Sequence, residues 1–203
     1  MKKEGCSGWN SAGDRSQMKR RITFNSPVVL GFVIMSLGAM VANYLTLGVS
    51  NQLLFTTYHS SLVSPLTYVR FFTHVLGHAG WSHYIGNMMY SLLLGPMLEE
   101  KYGSRAIIEV ILVTGLVTGV VTWMFFPGIA LCGASGVVFA FIMMTSFTSF
   151  KEGEIPLTVI LVAIIFIGQQ VYEGMFVSDN VSNLGHILGG MVGALAGYTL
   201  NKK

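Results

Sequence analysis

The chain has 203 residues, of which 52% are hydrophobic and only 10% charged, with a formal net charge of +3. Apolar runs recur from Pro27 to the C-terminus, more than a soluble core of this size absorbs, which excludes an ordinary soluble domain. The twelve Lys and Arg residues lie scattered along the flanks of those runs and form no continuous surface, so the charge implies no nucleic-acid partner.

Residues 1–25 read as a polar N-terminal tail. It lacks the short apolar stretch and small-residue cleavage site of a signal peptide, so a retained signal anchor without processing is expected, and Glu4 and Asp14 weigh against a mitochondrial presequence. Residues 26–203 read as one helical membrane domain. A helix crossing the hydrocarbon needs roughly 20 mainly apolar residues, and the candidates are 27–47, 83–98, 105–126, 134–150, 155–174 and 183–200. Inside hydrocarbon every backbone amide must be paired, which leaves helices or a closed barrel, and the period-two alternation of a barrel is absent. The fold class is therefore all-α, a polytopic bundle of six transmembrane helices.

Lys and Arg resist translocation and collect on the cytoplasmic side. With the tail inside, Lys2, Lys3, Arg15, Lys19, Arg20, Arg21, Lys101, Arg105, Lys151, Lys202 and Lys203 all fall on that side, and only Arg70 falls outside. Both termini are expected to be cytoplasmic. Cys6 then lies in the tail and Cys132 near the outer face, so the two cannot pair and both read as free thiols, Cys132 as a small apolar filler.

The segment 48–82 between the first two spans is expected to be external and, from Phe71, Phe72 and Trp81, to lie partly in the membrane interface. At its end and into the second span stand His74, His78, His83 and Asn87. His83 and Asn87 are four residues apart, so on a helix both project from one face, where their N–H groups could converge on a developing negative charge. His74 and His78 share the same spacing and could ligate zinc, but no carboxylate or Cys accompanies them, which favours hydrogen-bonded structural histidines.

Gly133-Ala134-Ser135-Gly136 opens the fourth span and Gly185-His186 stands near the start of the sixth. At a helix N-terminus unpaired amides and the helix dipole favour negative charge on a serine oxygen and on a neighbouring oxyanion. The competing reading is a small-residue packing patch, common in membrane helices. Gly189 and Gly193 follow His186 on the same helical face and would let the last span approach closely, bringing His186 to Ser135. Phe139, one turn beyond Ser135, could pack on the His186 ring or could be an ordinary core aromatic. The only Asp residues are Asp14 and Asp179, neither within a span, so a dyad with His186 as general base and then general acid is more economical than a triad.

The ordered set of His78, His83 and Asn87, Gly-x-Ser-Gly at 133–136, and His186 in a glycine-rich last helix resembles the rhomboid intramembrane serine proteases, over roughly the whole membrane region. The resemblance implies a six-helix bundle, Ser135 as nucleophile, His186 as base, and an oxyanion site made by the Ser135 amide with His83 and Asn87. It implies supporting roles for His78, Gly133, Gly136 and Phe139, and no metal or cofactor. It further implies that Arg70 holds a partly submerged first loop, that Glu99 is structural, and that the fifth span and loop 175–182 act as gate and cap. Phe139 departs from the pattern, since many relatives place Tyr there. The implied partners are the lipid bilayer and transmembrane protein substrates that approach laterally, with oligomeric state open. A bacterial or archaeal plasma membrane is the expected location. The alternative carried by the same resemblance is a catalytically inactive membrane scaffold or chaperone.

Overall fold

A computed structural model of the chain describes residues 24–148, 157–176 and 182–201. The tail 1–25 lies outside the described residues up to position 23, as do Cys6, Lys151 and most of the loop 175–182. The helices are α1 (Pro27–Leu45), α2 (Pro65–Thr73), α3 (Trp81–Tyr102), α4 (Ser104–Phe125), α5 (Ser135–Ser146), α6 (Leu157–Phe176) and α7 (Ser182–Asn201). Six of them, α1 and α3 to α7, coincide with the expected spans, and the described residues contain no strand beyond an isolated bridge between Thr57 and Leu131.

Two features of sidedness fit a lipid solvent. Large apolar side chains face outward around the perimeter, including Ile34 on α1, Leu93 on α3, Ile165 on α6 and Leu195 on α7, each well over half exposed. A surface of that kind would aggregate in water. Within the bundle, Ser36, Ser91, Thr114, Thr118 and Thr122 are buried beside a core that includes Phe32, Leu98, Ile107, Val137, Phe141 and Met144. Small and hydroxyl-bearing residues at helix contacts are how membrane bundles pack, because apolar bulk gives no preference for helix over lipid.

Helix α1 shows how a distant residue completes a local element. Pro27 pre-sets the first turn, and Ser26 is of an N-cap type, yet Ser26 makes no side-chain cap. Glu99 of α3 supplies the cap instead: its Oε1 and Oε2 accept the amides of Val28 at 3.1 Å and Val29 at 3.0 Å, and Oε1 also accepts Ser104 Oγ at 2.7 Å. The carboxylate is buried against the positive end of α1 and ties it to the α3–α4 junction. That junction is tight because Gly103 (φ 85°) ends α3 and α4 begins at the next residue. Replacing Glu99 by Ala leaves two helix N-terminal amides without an acceptor. We expect a loss of about 2–3 kcal/mol of stability, read as a lowered unfolding midpoint in detergent.

The segment 48–82, expected to be external and interfacial with Arg70 holding a partly submerged loop, folds as α2 flanked by single helical turns at Asn51–Phe55 and His74–Leu76. Arg70 organises it: Nε donates to Leu53 O at 2.9 Å, Nη1 donates to Ser60 Oγ at 3.3 Å, and the guanidinium lies 4.5 Å from the Tyr58 ring centroid. α2 packs on α4 where Gly119 leaves no room for a side chain, since a methyl there would stand 2.9 Å from Phe71 Cα.

His74 and His78, weighed above as a zinc pair, serve separate structural roles. His74 Nε2–H donates to Gly115 O at 3.0 Å across to α4, and His78 Nδ1–H donates to Leu76 O at 3.1 Å. Burial lowers both from the ordinary histidine value to about 4, with His83 adding to the effect at His78. A group held neutral in the fold but free to protonate when unfolded removes stability as acid is added. Stability should therefore be full above about pH 6.5 and fall progressively down to about pH 4. Unfolding temperature in detergent, compared across that window, checks this, and a flat profile would contradict it.

Candidate active site

The residues preceding Ser135 are pinned before the helix begins. Thr57 and Leu131 exchange both backbone hydrogen bonds, at 2.9 and 2.8 Å, and the Gly133 amide donates to His74 O at 2.9 Å. The first loop thus fixes where α5 starts, and Ser135 occupies its first position, where the backbone amide has no intrahelical acceptor.

Gly133 carries φ 134°, a conformation that favours glycine, and the His83 ring lies directly against it. A methyl on Gly133 would stand 2.6 Å from Cε1 and 2.8 Å from Nε2 of His83. Behind His83, the His78 ring meets it edge-on at 5.0 Å between centroids and also meets Tyr84 at 5.4 Å. His78 is fully buried, and its carbonyl accepts Asn51 Nδ2 at 2.9 Å. His83 is thereby held between the first loop and the residues leading into α5.

One cavity of about 450 Å³ gathers the rest. Its walls include His83, Asn87 and Tyr90 from α3, Ser135, Phe139 and Ile142 from α5, and His186 from α7. The rings of Phe139 and His186 lie 4.3 Å apart at 44°, so the aromatic packs on the imidazole without a hydroxyl. Asn87 is buried on α3, and its Nδ2 has no hydrogen-bond partner among the described residues. A buried amide left as an unused donor is costly unless something accepts from it at another stage.

His78 and Gly136 stand outside this cavity. Gly136 faces α7, with Gly185 O 3.3 Å from where its Cβ would be, and Gly133 opens only into a small crevice behind Ser135. The close approach of α5 and α7 is backbone on backbone: a Cβ at Gly189 would fall 2.7 Å from Gly136 C, and one at Gly193 would fall 2.7 Å from Ala140 C. Ser82, Gly86, Tyr90, Val138 and Ile142 line the cavity without having been singled out in sequence. Helical spacing could have found most of them, since Tyr90 lies three residues after Asn87, and Val138 and Ile142 lie three and seven after Ser135.

Cys132 is a free thiol beside the site, and burial pushes its pKa up, which fits a packing role better than a nucleophile. Among the described residues, no three His, Cys, Asp or Glu side chains cluster as metal ligands.

The sequence matches the Rhomboid domain over residues 65–203. It is 34% identical to the mouse Rhomboid-related protein 2 over 160 residues, covering 68% of this chain and 53% of that protein. It is 28% identical to the Rhomboid protease GlpG of Salmonella choleraesuis (strain SC-B67), covering 66% and 50%, and 23% identical to the Rhomboid-like protein 11, chloroplastic, of Arabidopsis thaliana, covering 93% and 71%. The chain thus spans about half the length of the mouse and Salmonella relatives. Since the domain match takes in more than half of the chain, including every helix from α2 onward, the chain belongs to the rhomboid family of integral membrane proteins.

Proposed function

We propose that this protein is an intramembrane serine endopeptidase that hydrolyses peptide bonds in or near transmembrane helices of other membrane proteins. The observation that carries this reading is the convergence of Ser135, His186, His83 and Asn87 on one cavity from three different helices. The match to a relative named as a protease supports it.

In this reading residues 26–203 form the catalytic unit. His186 takes the proton of Ser135 Oγ as the oxygen attacks the scissile carbonyl carbon, and the carbonyl π electrons move onto oxygen. The resulting oxyanion is held by the Ser135 amide, His83 and the unused Nδ2 of Asn87. Collapse of the intermediate breaks the C–N bond, and His186 returns the proton to the departing amine. Water then attacks the acyl-enzyme with His186 as base, releasing the second product and restoring Ser135. Phe139 keeps the imidazole in position by ring contact alone. No metal or cofactor enters these steps.

A substrate helix must unwind to expose a peptide bond. Gly, Pro or polar residues lower that cost, so they should mark preferred segments. The distribution of basic residues supports a topology with both termini on the cytoplasmic side. A bacterial or archaeal plasma membrane is the proposed setting, though the relatives come from bacteria, animals and a plant.

The test is labelling of the purified, folded protein with a fluorophosphonate probe, with the modified residue mapped by mass spectrometry. Adduct on Ser135 is expected. A folded protein that takes no label and cleaves no transmembrane reporter would overturn the proposal in favour of a non-catalytic scaffold.

A further inference from the structure

The cavity at Ser135 extends further along α3 and α5 than the proposed chemistry needs. Its α3 wall is one helical stripe of His83, Gly86, Asn87 and Tyr90, and past Ser135 the α5 side presents Val138 and Ile142. Ser135 and His83 belong to the first turns of their helices, whereas Tyr90 and Ile142 lie at the far end of the cavity from them. We infer that Tyr90 is a specificity-determining residue of the proteolysis proposed above, on which this inference rests. Its hydroxyl forms a hydrogen bond with a polar side chain of the substrate that occupies the space beside Gly86.

The position of Tyr90 is unusual for its residue type. Tyrosines of membrane helices collect at the interfaces, where the ring is apolar-side and the hydroxyl is wet. Tyr90 instead stands near the middle of α3, about 14 Å from its start, in a hydrocarbon layer about 30 Å thick. The other two tyrosines of α3 have their hydroxyls engaged: Tyr84 donates to Val33 O at 3.3 Å, and Tyr102 accepts Asn201 Nδ2 at 2.7 Å. The Tyr90 hydroxyl has no hydrogen bond among the described residues, and its side chain is 46% exposed. A polar group at that depth is costly unless a partner meets it, and such groups mark the paths of ligands.

Gly86 supplies the room. It lies one turn before Tyr90 on the cavity wall, and a Cβ there would meet nothing within 4 Å, so a substrate side chain can lie against bare helix. Val138 and Ile142 opposite are apolar, which leaves Tyr90 as the polar contact at this end. Tyr90 is one turn beyond Asn87, about 4.5 Å along the axis, and an unwound substrate advances about 3.3 Å per residue. The residue read by Tyr90 therefore falls within about three positions of the scissile bond, on its membrane-interior side. A polar side chain in a substrate helix also lacks water there, so the contact satisfies two unmet groups at once. An apolar side chain would leave the Tyr90 hydroxyl unpaired, and that asymmetry is the source of discrimination.

The test uses the full chain in vesicles with a set of transmembrane reporters that carry Asn or its near-isostere Leu, one position at a time, on the membrane-interior side of the cleaved bond. At one position within the first three, kcat/KM should favour Asn by about tenfold, the effect of one hydrogen bond. Tyr90→Phe, which removes only the hydroxyl, should bring that ratio close to one. Gly86→Val adds bulk to open space and should disfavour both Asn and Leu relative to Ala at the same position. Asn also eases unwinding, but a preference from that cause alone would survive Tyr90→Phe and so overturn the inference. Equal loss of Asn and Leu cleavage in Tyr90→Phe would overturn it too, because the hydroxyl would then be reading substrate backbone. So would cleavage by the parent without any Asn preference, and these three outcomes leave the protease reading intact. A parent that cleaves no reporter and takes no fluorophosphonate on Ser135 would overturn both.

Discussion

Replacing Ser135 by Ala, or His186 by Ala, is expected to lower kcat/KM toward a transmembrane reporter by about four to six orders of magnitude, and the double variant should be no worse than either alone. In the proposed mechanism the two groups act as one unit: without the imidazole the serine hydroxyl keeps its proton, and without the hydroxyl the imidazole has nothing to activate. Folding should survive both changes. Ser135 is only partly buried, the residue in the cap position of α5 is Ala134, and no side-chain cap is lost with the hydroxyl. Asn87→Ala would remove one proposed oxyanion donor and leave the nucleophile intact, so its loss should be about 10²–10³-fold and fall on kcat. The measurement is reporter cleavage in vesicles, with unfolding in detergent as the check on structure. Losses of only about tenfold, or losses that multiply in the double variant, would exclude the dyad.

The six spans were legible in sequence because a membrane helix advertises itself by composition alone, and the His83–Asn87 and Ser135–Phe139 pairs because one helical turn is a fixed spacing. What composition and spacing left dark is what depends on partners far along the chain, and the family resemblance marked Glu99 and Arg70 as structural without naming what they touch. Glu99 caps a helix that begins about seventy residues earlier, and nothing local marks a glutamate at the end of an apolar run as a capping group. Thr57 and Leu131 form a single bridge outside any strand, too short to leave alternation, yet that bridge positions the residues before Ser135. α2 spans only nine residues, below the length at which periodicity is readable, and its Arg70 is buried by loop carbonyls and Tyr58 that no spacing rule connects to it. Gly133 was legible as a small residue but not for its reason, which is the His83 ring lying where its side chain would be.

Gly189→Ala should lower kcat by about 10²-fold, close to the loss expected for Asn87→Ala, although Gly189 carries no chemistry. Its missing side chain is replaced by the backbone of Gly136, with C and Cα at 2.7 and 2.8 Å from the position a methyl would take, and backbone cannot swing aside as a flexible side chain can. The methyl must therefore push α7 away from α5 at Gly136, the residue next to Ser135, and about one turn past His186. Overpacking of this kind costs about 1–3 kcal/mol, and a shift of about 1 Å between reacting groups costs about 10²-fold in rate. Gly38→Ala on α1 is the control: a Cβ there meets nothing within 4 Å, and alanine is the better helix former by about 1 kcal/mol, so that variant should be unchanged or slightly more stable. Gly193→Ala separates packing from geometry. It meets Ala140 backbone as tightly as Gly189 meets Gly136, so the unfolding midpoint should drop by a similar amount, but it lies a further turn along α7 from His186. Its loss of kcat should be the smaller of the two, because α7 can pivot about the intact Gly189 contact and keep the imidazole near Ser135. Equal losses of kcat from the two variants would mean that the helix pair fails as a whole and that Gly189 has no special part in setting the distance between base and nucleophile.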